Sequence, residues 1–269
     1  MSVSHLLREH APITEDGWKL IDEEARERLL PGLAARRLVD FSGPHGWTHS
    51  ATNLGRTAAV EASPHKGVAA VRRSVLALAE LRADFSVSRE ELRDQDRGAV
   101  DIDLASLDQA AHRIAVAENV SVFHGWDGAD FTGITAASPH PAMPLGGAAE
   151  GYTRAVAGAV ELLLRGGVGG PYGMALGREQ YRLVVETAEH GGLLLLDHLR
   201  KILDGPIVWA PGVDGAVVLS LRGGDFLLDS GQDLSIGYDS HDADAVHLYI
   251  EESFSFVVAS ADAAVALSA

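Results

Sequence analysis

Arg222-Gly223-Gly224-Asp225-Phe226-Leu227-Leu228-Asp229-Ser230-Gly231-Gln232-Asp233-Leu234-Ser235-Ile236-Gly237-Tyr238 is the stretch on which the fold of this chain turns. Gly223 and Gly224 stand between two short strand-like runs, 216–221 and 226–228. A glycine pair in that place predicts a hairpin turn. Toward the C-terminus a last strand is expected over 245–258, and upstream Ile207-Val208-Trp209 is another. The end of the chain is therefore strand-rich.

Further upstream the periodicity changes. Helices are expected over 149–165, stopped by Gly166-Gly167, and over 178–189 and 193–203. Residues 132–147, rich in Pro, Gly and Ala, read as a loop or boundary. A helix over 104–122 carries Leu107, Ala111, Ile114, Ala115 and Val122 on one side. Ser88-Arg89-Glu90-Glu91 has the form of a capping box, and 76–87 alternates as a strand. A glycine- and histidine-bearing stretch, 41–67, precedes it. Nearest the N-terminus, Thr14 caps a helix with Trp18, Ile21, Ala25 and Leu29 on one stripe, ended by Pro31-Gly32. The fold class is α+β, with helices in the middle, strands at the end and no internal repeat.

Composition narrows the function. The 269 residues are 46% apolar and 22% charged, which excludes disorder and fibre. A formal charge of -16 argues against a nucleic-acid partner, because phosphate recognition needs clustered cations, and Arg36-Arg37 and Arg72-Arg73 are only pairs. The absence of cysteine removes disulfides, zinc–thiolate sites and thiol nucleophiles. Residues 1–10 lack the basic run and apolar stretch of a signal peptide, and no apolar run reaches the ~18–20 residues of a membrane span. A cytoplasmic protein with no membrane partner is expected.

Motifs that suggest chemistry fail on context. Arg165-Gly166-Gly167-Val168-Gly169-Gly170 follows a helix, precedes Pro171 and lacks the Lys-Ser/Thr of a phosphate loop, so it reads as a helix C-cap and turn. Gly223-Gly224-Asp225-Phe226 lacks the second acidic residue of a nucleotide cyclase signature. His45 and His49 are four apart, but Pro44 and Gly46 argue against a helix that would align them. His241-Asp242-Ala243-Asp244 with His247 offers metal-type donors in a polar loop, where adventitious ligands are common. No Gly-x-Ser-x-Gly elbow occurs. No catalytic residue, metal site or cofactor is expected.

Ordered blocks carry a resemblance. They are Ala11-Pro12-Ile13-Thr14 with Trp18 and Ile21-Asp22-Glu23-Glu24-Ala25; Arg36-Arg37-Leu38-Val39-Asp40; Gly43-Pro44-His45-Gly46-Trp47; and Glu80-Leu81-Arg82-Ala83-Asp84-Phe85. Asp101-Ile102-Asp103-Leu104, Phe123-His124-Gly125, Gly170-Pro171-Tyr172, the opening stretch and Glu252-Ser253-Phe254-Ser255-Phe256 follow. In this order, over nearly the whole chain, they resemble the encapsulins, the shell proteins of bacterial and archaeal nanocompartments.

The resemblance implies the Hong Kong 97 (HK97) phage major-capsid-like fold, with a peripheral (P) domain, an extended (E) loop and an axial (A) domain. It assigns 1–48 to the N-terminal helix and the start of the P domain, 49–87 to the E loop, and 88–131 to P-domain helices. The A domain takes 132–222, and P-domain and C-terminal strands take 223–269. It implies an icosahedral homo-oligomer, the smaller architecture suiting a chain of this length, that encloses a cargo enzyme captured by its C-terminal peptide. A peroxidase or a ferritin-like iron protein is the expected cargo.

The cargo groove is expected at Leu29, Leu33, Arg36 and Asp40, facing Asp233, Leu234 and Ile236. The other reading of these residues is domain core with a structural ion pair. The five-fold pore is expected at Glu189, His190, Gly191 and Gly192, with His190 able to change charge near neutral pH. Some members bind flavin beside an early tryptophan in the helix after the Phe85 strand; here that stretch is Ser88-Arg89-Glu90-Glu91, so no flavin is expected. The rival readings are a prophage major capsid protein, which shares the fold and packages DNA, and a soluble metal-dependent hydrolase centred near His241.

Overall fold

A computed structural model describes residues 5–146, 148–188, 192 and 194–268. Thr14 caps α1 (Glu15–Leu29), its hydroxyl accepting from the Gly17 N–H at 3.1 Å, and Ile21, Ala25 and Leu29 form the buried stripe while Trp18 is half-buried. The chain then runs through β1 (Asp40–Ser42) to a hairpin of β2 (Ala51–Ala59) and β3 (Val71–Ala77), and on to β4 (Ala79–Ser88). Ser88 caps α2 (Arg89–Asp96), but not as a capping box. Its hydroxyl accepts from Glu90 N–H, and Glu91 turns away to accept from Asp103 N–H at 3.0 Å.

α3 (Ala105–Phe123) buries Leu107, Ala111, Ile114, Ala115 and Val122, the side its spacing predicts. β5 (Gly125–Trp126) and β6 (Phe131–Thr132) follow, and the region 132–147 expected as loop holds α4 (Ile134–Ala137) and β7 (Met143–Pro144). α5 (Ala149–Arg165) ends at Gly166 as expected. After it β8 (Tyr172–Leu176), α6 (Arg178–Glu186), α7 (Leu195–Leu203), β9 (Ile207–Trp209) and β10 (Ala216–Ser220) build a second layer. β11 (Phe226–Ser230), β12 (Ser235–His241), β13 (Ala245–Val258) and β14 (Ala264–Ser268) close the chain.

Two sheets organise these elements. In the first, β13 is the spine: β4 pairs along Ala245–Phe254 on one edge, while β12 and then β11 pair antiparallel along the other, and β1 joins β11 in parallel. The second sheet runs β7-β14-β10-β8-β9, packed against α5, α6 and α7. A core of α1, α2, α3, β4, β12 and β13 side chains fills one end, and a larger core around the second sheet fills the other.

Gly223-Gly224 is not a hairpin turn. β10 and β11 lie in different sheets, and the glycines, both at φ above +80°, carry the chain between them. Turn residues report backbone freedom and say nothing about which strands pair. Arg222 holds Asp225 in a two-pronged ion pair (2.8 and 2.9 Å), and Gly224 N–H donates to Asp40 at 2.6 Å.

Among the described residues the β2–β3 hairpin pairs only with itself, and its Leu54, Val71 and Val75 are exposed. A two-stranded ribbon is marginal alone in water and needs something to pack against.

Candidate functional site

A groove of about 410 Å³ lies between α1 and the link from β11 to β12. Ala25, Leu29, Leu30 and Leu33 line one side and Leu234, Ile236 and Ile250 the other. Leu6 reaches it because its carbonyl accepts from Tyr238 N–H at 2.8 Å, laying the N-terminal segment along β12. Arg8, Asp22, Arg26 and Asp233 supply charge at the lining.

Leu29, Leu33, Arg36, Asp233, Leu234 and Ile236 thus share one groove. Leu29, Leu33 and Ile236 are nearly buried and serve the core as well. The most exposed apolar side chain of the lining is Leu30, at 57%, which falls one residue past the buried stripe and so escapes a spacing argument. Asp40 does not belong to the groove. It lies in β1, in a separate cleft with Ser220 and Asp225, and binds Gly224 N–H.

Arg36 engages three carboxylates. Its guanidinium donates to Glu118 (2.6 Å), Asp233 (2.6 Å) and Glu252 (2.7 Å), with Phe41 packed 5.0 Å away. Glu118 and Glu252 are 0% and 2% exposed. Burial, then the charge of Glu118, pushes the Glu252 carboxyl well above the ordinary range; burial likewise raises Glu118 against the pull of Arg36. Burial and the mutual repulsion of Glu118 and Glu252 both favour the protonated form of this pair, against the pull of Arg36. Arg36 ties α3, β13 and the 233 segment together, and Asp40 is not among its partners.

Of the pore residues, Glu189, His190 and Gly191 lie outside the described residues. Gly192 has φ +82° with open space around it. The ends of the segment are held by a bridge between Ala188 and Leu194 and by Leu195 N–H donating to Thr187.

The histidines divide unexpectedly. Near 241, His241 bonds the Tyr238 hydroxyl and His247 bonds Asp242 at 3.1 Å, so they do not converge on one point. Asp242 is exposed and its carboxyl is brought to about 2, mainly by the N–H groups of Ala245 and Asp244. His45 and His49 do converge, on Asp229 of β11. Helical spacing was the wrong test for them, because a folded-back loop aligns them instead.

The chain matches a family described as encapsulating protein for peroxidase over residues 3–255. A type 1 encapsulin shell protein of Rhodospirillum rubrum is 44% identical over 98% of this chain and 96% of its own. One from Mycobacterium tuberculosis is 40% identical over 99% of this chain and 100% of its own. Among solved structures, a virus-like particle from Pyrococcus furiosus has a TM-score of 0.65 at 16% identity, covering 92% of this chain and 98% of that one. The capsid of an empty GTA particle has a TM-score of 0.52 at 16% identity, covering 88% and 90%. At that identity these two speak for the fold alone, which is the HK97 capsid type.

Proposed function

Because this chain belongs to the encapsulin family and is a structural shell subunit rather than an enzyme, we propose that its copies close into an icosahedral compartment that captures a cargo enzyme by its C-terminal peptide. The observation that carries the cargo reading is the groove beside α1. An apolar floor with exposed Leu30 and charged groups at its margin suits a short extended peptide, whose apolar side chains supply affinity while the charges set register. Arg36 acts by fixing Asp233 and the groove wall, since each of its three nitrogens already donates to a carboxylate of this chain.

Assembly by the β2–β3 hairpin supports the shell. It is the E loop of this reading, and a neighbouring subunit supplies the surface that the two strands lack. Closed symmetry then multiplies weak contacts, because losing one subunit breaks several at once. The pore of this reading is the stretch of sequence Glu189, His190, Gly191 and Gly192, between α6 and α7. Shells with His190→Ala and unchanged small-ion entry would count against it.

A peroxidase is the favoured cargo, through the family's description, and the compartment is cytoplasmic; among the described residues no helix is long and apolar enough to cross a membrane. The test is co-expression with a fluorescent protein bearing the C-terminal tail of a candidate peroxidase. Hollow particles in negative stain, with fluorescence co-sedimenting and lost in Leu30→Asp, are expected. Dispersed monomers refute the shell. Hollow particles that capture the tail equally in Leu30→Asp refute the groove.

A further inference from the structure

We propose that His45, His49 and Asp229 form a divalent transition-metal site, of the two-imidazole, one-carboxylate type that suits Zn²⁺.

The site is built by backbone. After β1 the loop 43–50 folds back on the end of β11: His45 N–H donates to the Ser230 carbonyl at 3.0 Å and Gly46 N–H to the Gly231 carbonyl at 2.8 Å. Gly43 permits that closeness, since its φ is +113° and a Cβ there would lie 2.4 Å from the Ser230 oxygen. His49 N–H closes a turn onto Gly46. Two imidazoles are thereby aimed at one carboxylate, His45 Nε2 at 3.0 Å from Asp229 Oδ1 and His49 Nε2 at 3.1 Å from Oδ2, with ring centres 4.8 Å apart.

The donor atoms of the three side chains all lie within 4.8 Å of one another. Ligand atoms around a tetrahedral ion at ~2.0–2.1 Å sit about 3.3 Å apart, so a small adjustment admits the ion. The donor set of two nitrogens and an oxygen, without thiolate, matches borderline metals rather than Ca²⁺ or Mg²⁺. Asp229 is 5% exposed, whereas His45 and His49 are open enough to leave a coordination position for water. Thr52, itself buried, donates to Asp229 and meets Ser255 at 2.6 Å, the kind of outer contact that orients a metal-binding carboxylate. Ser42 is 2.9 Å from His45 Nε2 and supplies a further oxygen.

The placement gives the ion something to do. The loop leads directly into β2, and Thr52 is part of that strand. A bound ion ties the root of the β2–β3 hairpin to β11, and so couples the direction in which the hairpin leaves the body to metal supply.

The test uses the full chain stripped with chelator and titrated with Zn²⁺ alone by calorimetry, and with Co²⁺ alone by visible absorption. One ion per chain is expected, with a Co²⁺ d–d band and a Zn²⁺-dependent rise in the unfolding midpoint. His45→Gln and His49→Gln each keep a side-chain donor for Asp229 and weaken Zn²⁺ binding at least tenfold, with far-UV circular dichroism unchanged. A His241→Gln/His247→Gln variant binds as the parent does. The proposal is overturned if the parent takes up no Zn²⁺, or if uptake survives in His45→Gln/His49→Gln. Uptake lost only with His241 and His247 overturns it as well. The Co²⁺ spectrum of the parent decides even if a variant does not fold.

Discussion

Replacing Arg36 with methionine tests the buried cluster directly. The variant keeps the bulk of the stem but removes the cation from three hydrogen bonds of 2.6–2.7 Å, two of them to glutamates sealed from water. Removing one partner of a buried ion pair costs about 3–5 kcal/mol, because the remaining charge keeps its desolvation penalty. With a urea slope near ~2–3 kcal/mol per molar, the unfolding midpoint falls by about 1–2.5 M. The four tryptophans provide the fluorescence signal, and protein concentration is held constant because assembly adds to stability. The pH dependence has a defined sign. Glu252 and Glu118 have folded pKa values raised by burial, so their contribution is complete below the ordinary carboxylate range and is lost as pH rises through the folded values. Without Arg36 both rise further, and the deficit of Arg36→Met grows as pH rises above the ordinary carboxylate range. Glu252→Gln fixes the neutral form: it flattens the dependence in the parent and recovers part of the loss beside Arg36→Met. A deficit below ~1 kcal/mol, or one independent of pH, refutes the argument.

Ile21→Ala empties a fully buried position between α1 and α3 and lowers stability by about 2–5 kcal/mol in the same urea assay. Gly237→Ala places a Cβ 2.1–2.5 Å from the ring of Tyr249, which Arg82 covers at 3.9 Å; a loss of about 1–3 kcal/mol is expected, and Tyr249→Leu recovers it in the double variant. With -16 on every chain, raising ionic strength from about 0.01 M to about 0.15 M shortens screening from ~30 Å to ~8 Å. Particle yield by size exclusion then rises, while the urea midpoint of unassembled subunits barely moves.

The elements easiest to read were those whose own residues contain the signal. α1 announces itself by Thr14 and the Ile21-Ala25-Leu29 stripe, α3 by its apolar side, and β13 by a strand-type run whose limits match the expected 245–258. β8, buried at every position, has no alternation to reveal it, and β14 is a short apolar run. The groove was legible in part. Leu29, Leu33, Arg36, Asp233, Leu234 and Ile236 meet there, while Asp40 departs to Gly224. Leu30 was missed because exposure is a property of neighbours rather than of spacing.

By itself the sequence determined the family, the α+β class, the acidic surface and the periodicities of helix and strand, all of which are carried by residue type and near-neighbour order. The tertiary structure decided that Gly223-Gly224 crosses between sheets, that Arg36 is held by Glu118, Asp233 and Glu252, and that His45 and His49 meet at Asp229. Those contacts join residues 82 to 216 positions apart in the Arg36 cluster and 180 and 184 apart at Asp229. Local conformational preference has no reach over such separations. They form only when two sheets and the helices over them bury their apolar faces together, and burial then forces each polar group onto whichever partner the packing supplies.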